Sequence, residues 1–355
     1  MQRIYVALAI TVLSVLVAHT PAAAASPADD PPVTFRSDVS LGRLDAQVVD
    51  GGNHPIRGLR VQDFILRVDG KPQEIRNFQS EKVPVDVVLL LDVSRSMEPH
   101  IRRVATASYQ ALRMLGEDDR IATMVFDRFT RLRMPFRPSR PNAGRELETV
   151  LDRESFEGGT DITRGLLDSA SYLEQNARRD ARRAIVIVTD DQTERSRNEA
   201  AVLRALTRAD SVLSALIAPD ALHTGAAYRR PPSDDDDRPR DIFSDLFPRR
   251  FGSYQRYSRT QSAGTSEIAN QSGGDAMAVD QAAAFEQTLE RIRERYALYF
   301  YLPEGMRASE EHSVEVLLTD AARRRYPGAE VRYRRSYLAP TGVKETEYSR
   351  PIRLM

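Results

Sequence analysis

The sequence predicts an α/β chain: a doubly wound, mainly parallel sheet, flanked by a β-sandwich-like module that draws strands from both chain ends. Three observations carry this. Residues 85–92, 184–190 and 211–218 are apolar runs without a polar face, as expected of strands buried on both sides beneath helices. Stretches with helical spacing of apolar residues lie between and around them, at 101–116, 162–177 and 199–209, so strand and helix alternate. At 33–79 and again at 311–340 the pattern changes to short alternating strands broken by turn signals.

In chain order, Met1-Gln2-Arg3 and the apolar stretch from Ile4 to Ala18 read as the charged and hydrophobic parts of an export signal. The small residues from Pro21 to Ala25 supply a cleavage site, which makes residues 1–25 a leader. An uncleaved anchor is the alternative, but the run is short for a span of ~20 residues. No later segment is long and apolar enough to cross a bilayer. After a Pro/Asp-rich lead, Leu44, Ala46 and Val48 alternate with polar neighbours, and Asp69-Gly70 is a hairpin turn dipeptide whose second arm continues through Ile75 and Phe78. This module, residues 33–80, has too few strands to hold a core alone, so the strands of 311–340 are expected to complete it.

The larger domain is expected over residues 83–302. Residues 120–126 and 131–136 read as a strand and an edge partner, and 144–151 as a short helix. Gly158-Gly159 offers the backbone a tight turn before the helix at 162–177. Residues 222–263 lose all periodicity and read as a disordered insertion. Within it, Asp234 to Asp237 lacks the spaced ligands and glycine of a calcium loop. The apolar group Ile242, Phe243, Leu246, Phe247 and Phe251 either packs on the domain or forms a short docking segment. Order returns with a helix start at 266–269, a short strand at 276–279, an amphipathic helix at 282–296 and an aromatic strand at 296–302.

The run at 85–92 ends abruptly in Asp92, followed by Ser94 and Ser96. In open α/β sheets ligands bind beyond the carboxyl ends of the strands, where these three oxygen-bearing side chains lie. Oxygen is the donor that hard cations choose. A strand followed by a serine-capped helix accounts for the same residues without any ion.

Two further motifs follow in order: Gly158-Gly159-Thr160-Asp161 at a helix start, and a buried strand closing on Thr189-Asp190. Together with Asp92-Val93-Ser94-Arg95-Ser96-Met97 they resemble the metal-ion-dependent adhesion site of the von Willebrand factor A domain. The resemblance implies that Asp92, Ser94, Ser96, Thr160 and Asp190 surround one divalent cation, Mg²⁺ or else Mn²⁺ or Ca²⁺. It also implies that a carboxylate from a partner protein completes the shell. One position departs from the family: Asp191 stands where a glycine is usual, which would add a carboxylate near the ion. Arg95, Asp161 and Asp191 would form the rim that meets the partner, with Arg95 either steering an anionic partner or simply solvated. The Leu-x-x-x-Asp-Phe segment from Leu59, the Asp69-Gly70-Lys71-Pro72 turn and Ile75-x-x-Phe78 also resemble the β segment that precedes the A domain in secreted acidobacterial-type proteins.

Composition narrows the function. Lys+Arg and Asp+Glu are both 51, so no basic face argues for nucleic acid. The absence of Cys excludes disulfides, zinc–thiolate sites and a cysteine nucleophile. No histidine lies in a triad or metal spacing; His100, near the strand end, reads equally as a capping residue. Gly158-Gly159 lacks the Lys of a phosphate-binding loop. A Mg²⁺-dependent phosphohydrolase of the haloacid-dehalogenase type would want a second Asp where Ser94 stands. The expectation is therefore an exported, metal-dependent protein-binding module and not an enzyme. The alternatives are a structural envelope protein with a non-functional site and, behind it, the phosphohydrolase.

Overall fold

The computed structural model describes residues 41–79, 83–98, 100, 111–138, 144, 148–149, 151–218, 260–278, 283–302 and 310–338. The leader, most of the helix expected at 101–116, most of the short helix at 144–151, and residues 222–259 with their acidic run and apolar cluster lie outside the described residues.

The central sheet has six strands: β5 (Val85–Asp92), β6 (Arg120–Phe126), β7 (Thr130–Pro138), β8 (Arg182–Thr189), β10 (Ser211–Ile217) and β12 (Ala276–Ala278). Their order across the sheet is β12-β10-β8-β5-β6-β7. All neighbours are parallel except the edge strand β7, which runs antiparallel to β6. Every residue of β5 is buried, which explains its unbroken apolar run. Its side chains alternate between two cores. Val87, Leu89 and Leu91 face Phe285, Leu289 and Ile292 of the helix Ala284–Arg293. Val88 and Leu90 face Leu166 and Leu173 of the helix Ile162–Asn176 and Leu206 of the helix Glu199–Arg208. Helices on both faces make this a doubly wound sheet.

The flanking module is two four-stranded antiparallel sheets. One is ordered β15-β1-β13-β4, from Glu330–Tyr333, Leu41–Val49, Tyr296–Tyr301 and Ile75–Gln79; the other is β16-β14-β2-β3, from Ser336–Leu338, Glu311–Leu318, Phe64–Val68 and Lys71–Gln73. One core joins them, with Leu44, Val48, Leu298 and Phe300 from the first sheet and Leu66, Val68, Val314 and Val316 from the second. Phe64, Phe78 and Tyr296 pack as an aromatic cluster with ring centroids 5.3–5.6 Å apart.

Three boundaries differ from the sequence expectation. Tyr296–Tyr301, read as the last strand of the 83–302 domain, pairs with β1 and β4 and belongs to the flanking module. Its apolar side chains fit either core, and only long-range pairing selects one. Ile75–Gln79 does not prolong the hairpin arm at Lys71–Gln73 but crosses to the other sheet. The strand-like run Val331–Tyr337 near the end of 311–340 breaks at Arg334, sending Glu330–Tyr333 to one sheet and Ser336–Leu338 to the other. A helix at Asp320–Arg325, capped by the Thr319 hydroxyl, had no periodic signal because it spans under two turns. Among the described residues no helix is long and apolar enough to cross a membrane.

At the opposite edge of the sheet from Asp92, the fully buried Asp86 carboxylate accepts hydrogen bonds from Arg120 (2.9 and 2.5 Å) and from Arg178 (2.7–3.1 Å). Burial alone would raise its pKa, but these donors outweigh it and hold the carboxyl below its usual range. A group whose folded pKa is depressed stabilises above its unfolded pKa, and that stability is lost as pH falls through the folded value. Asp86→Asn is therefore expected to lower stability at pH 7 by about 3 kcal/mol, the scale of a broken buried ion pair. The deficit should shrink only as pH falls below the unfolded value of about 3.9, and denaturant melts at pH 7 and at about pH 2.5 measure both effects.

Candidate metal centre

Asp92 ends β5 with its side chain fully buried, and its Oδ1 accepts the Ser94 backbone N–H at 2.9 Å. Its Oδ2 accepts the Thr189 hydroxyl at 2.9 Å from the neighbouring strand β8. The chain then turns into a short 3₁₀ helix at Arg95–Met97, anchored by the buried Met97. That turn presents the Ser94 and Ser96 hydroxyls side by side, 3.3 Å apart. Ser96 donates at 2.6 Å to Asp190 Oδ2, across from the end of β8. Asp190 Oδ1 accepts the Gln192 N–H at 2.9 Å, which fixes its carboxylate.

The Gly158–Thr160 loop joins the same edge. Gly158 forms a parallel β-bridge with Ser94. The Thr160 carbonyl accepts the Glu194 N–H at 3.0 Å and the Thr193 hydroxyl at 3.2 Å, tying this loop to the one that follows Asp190. Asp92, Ser94, Ser96 and Asp190 thus form one linked cluster, and Thr160, itself buried, lies in a loop bonded to both of its arms. The glycines serve differently from the sequence expectation. Neither Gly158 nor Gly159 has a positive φ. Gly158 is needed for close approach, since a Cβ there would lie 2.7 Å from the Asp127 Cβ.

The rim residues divide. Arg95 is exposed beside the serines. Asp161 caps the helix Ile162–Asn176, accepting the Arg164 N–H at 3.0 Å. Asp191 has φ 59°, the left-handed region where Gly is ordinary and Asp is tolerated. Its Oδ2 accepts the Ser262 hydroxyl at 2.5 Å and its Oδ1 the Thr265 N–H at 3.0 Å. The carboxylate expected to add charge near an ion instead holds the returning chain. Here Gln261–Ser262 pairs with Gln192–Thr193, and Ala263 is buried, so the last residues of the 222–263 insertion are ordered against the site.

Thr189 and Ser262 were not singled out by sequence reasoning. Thr189 carried a signal, a hydroxyl one residue before the second strand-end Asp; Ser262 carried none. His100 is buried.

The donor set fits a hard cation. Burial first, and then the charge of Asp190, pushes the Asp92 carboxyl up to about 7. Hydrogen bonds from Ser94 and Thr189 only partly offset this. Two neighbouring carboxylates with oxygen-only company are short of positive charge, which is what a divalent ion supplies. Among the described residues there is no cluster of three or more His, Cys, Asp or Glu arranged to hold a metal, so hydroxyls would have to share the coordination.

Residues 87–192, which contain all five candidate ligands, match the von Willebrand factor type A domain family. No curated protein sequence matches the chain. Among solved structures, an aerotolerance-related membrane protein from Bacteroides fragilis aligns at 18% identity and TM-score 0.41, covering 59% of this chain and 98% of its own. A von Willebrand factor type A protein from Catenulispora acidiphila aligns at 12% identity and TM-score 0.39, covering 86% and 76%. BatB from Bacteroides thetaiotaomicron aligns at 19% identity and TM-score 0.33, covering 38% and 66%. Likeness at this level says nothing about function. The family match and the six-stranded sheet with Asp92 and Asp190 at its carboxyl edge agree: the chain carries a von Willebrand factor type A domain.

Proposed function

We propose that this protein is an exported, cation-dependent protein-binding module. The observation that carries the reading is the pairing of the Asp92 and Asp190 carboxylates at one sheet edge, joined through the Ser94 and Ser96 hydroxyls. Asp92, Ser94, Ser96, Thr160 and Asp190 would hold the ion, of Mg²⁺ type, with Mn²⁺ or Ca²⁺ able to substitute; some of these contacts would run through water. When bound, the ion supplies an electrophilic coordination position suited to a carboxylate from a partner protein. The residues of this chain do the rest. Ser94 and Ser96 contribute oxygens without charge, so Asp92 and Asp190 at most neutralise a divalent ion and its open position would stay electrophilic toward an acidic ligand. Thr189 and the Ser94 N–H orient Asp92, Gln192 orients Asp190, and Arg95 stands at the rim to draw an anionic partner.

The enzyme reading is not favoured, because the position of a second catalytic Asp is taken by Ser94, which bonds to Ser96 instead. The apolar leader at 1–25 supports export to the periplasm, envelope or exterior. The order of the β segment and A domain supports membership of the secreted acidobacterial-type family.

Isothermal titration of the purified chain with MgCl₂ or MnCl₂ should show one saturable site, abolished in Asp92→Ala. Pull-down of envelope or extracellular proteins from the native host should be lost with EDTA and with the same substitution. A folded wild type that takes up no divalent ion would reject the proposal.

The raised Asp92 pKa yields a second expectation. A carboxyl whose folded pKa lies above its unfolded value of about 3.9 stabilises at low pH. That contribution is lost as pH rises through the folded value, about 7. In EDTA the melting temperature should therefore fall between pH 5 and pH 8. Asp92→Asn, neutral throughout, should flatten the decline, and added Mg²⁺ should reverse it in the wild type only.

A further inference from the structure

Far from the metal edge, at the amino ends of β8 and β10, a small cavity lies between the central sheet and the flanking module. Four arginines line it, Arg182, Arg183, Arg295 and Arg334, against two carboxylates, Asp45 and Asp210. Arg182, Arg295 and Arg334 are each more than nine-tenths buried. Both carboxylates are shared with a fifth cation, Arg43. Asp210 pairs with Arg334 and, at 3.5 Å, with Arg43. Asp45 lies 3.6 Å from Arg43 and 3.5 Å from Arg182. The positive charge therefore exceeds the negative charge in a buried place, which is costly unless an anion answers it.

The hydrogen bonding shows the same deficit. Arg182 donates its two terminal nitrogens to the Arg293 and Arg295 carbonyls, Arg295 donates one to the Gly273 carbonyl, and Arg334 donates one to the Arg43 carbonyl. Three buried N–H groups remain unanswered among the described residues, Nε and Nη1 of Arg295 and Nε of Arg334, whereas Arg182 Nε faces the equally unbonded Asp45 Oδ1 at 3.5 Å. Native interiors rarely leave such donors unanswered. Burial pushes the Arg295 guanidinium down to about 10, although Asp45 and Asp275 oppose the shift. An arginine stays charged in proteins, so the missing charge must come from elsewhere.

We propose that this cavity is an anion site that takes a single halide, chloride in practice, and joins the two halves of the fold. Size selects the class. The space open to the centre of a water-sized sphere is about 10 Å³. That admits roughly one water or one monoatomic ion. A tetrahedral oxyanion is too large. A lone water could accept from only some of the three donors and would bring no charge.

Crystals of the full chain grown in bromide and measured at the bromine edge, with EDTA present to leave the metal edge out of the result, are the direct test. An anomalous peak beside Arg295 establishes the site; an ordered water or empty density there overturns it. Melting at constant ionic strength, with chloride replaced stepwise by gluconate, reads the same site in solution. The wild type should gain about 2–4 °C saturably with chloride, and Arg295→Gln should lose the dependence. A chloride-independent melt of the wild type would equally overturn the proposal, and it needs no variant to fold.

Discussion

The structure turns on a carboxylate at the end of a strand that has no solvent-facing side. β5 is buried along its whole length, so Asp92 emerges where the apolar environment stops but water has not begun. The side chain gains only a backbone N–H and two hydroxyl neighbourhoods there, and Asp190 stands close enough to raise its pKa further. The groups that bond to it are hydroxyls and an N–H rather than a paired cation, and they offset its buried charge only in part.

The sheet edge is assembled by connections rather than by one motif. The Ser94–Gly158 bridge brings the glycine loop to the first strand, and the Thr160 carbonyl ties that loop to the residues after Asp190. Asp191 then captures Ser262 and Thr265 on the far side of a long connection. A residue that departs from the family's glycine keeps the left-handed backbone and adds a clamp. The end of the 222–263 connection is in this way fixed beside the site, so that connection returns to the domain at the place where a partner would dock.

The two ends of the sheet are electrostatic opposites. The carboxyl edge gathers carboxylates and hydroxyls; the amino edge gathers arginines, some answered by Asp86, Asp45 and Asp210 and some not. Both edges border elements distant in sequence. The flanking module is not a separate appendage in this arrangement. Its strand Tyr296–Tyr301 follows directly on the last helix of the central domain, and Arg334 reaches from it to Asp210 at the sheet's lower edge.

The sequence alone determined the doubly wound sheet, because fully buried strands and amphipathic helices each leave a periodicity that side-chain burial enforces locally. It also brought the edge cluster into view, since Asp92, Ser94 and Ser96 are neighbours in the chain and Thr160 and Asp190 lie at the ends of recognisable elements. Only the tertiary structure decided which sheet Ile75–Gln79, Tyr296–Tyr301 and Ser336–Leu338 join, because an apolar strand fits either core and pairing is a choice among distant partners. It also decided that Asp191 holds Ser262 and Thr265, and that Thr189 buttresses Asp92. The arginine-lined cavity belongs to the same class. No spacing along the chain relates Arg182, Arg295 and Arg334, and their common deficit of partners exists only once the flanks have closed on the sheet.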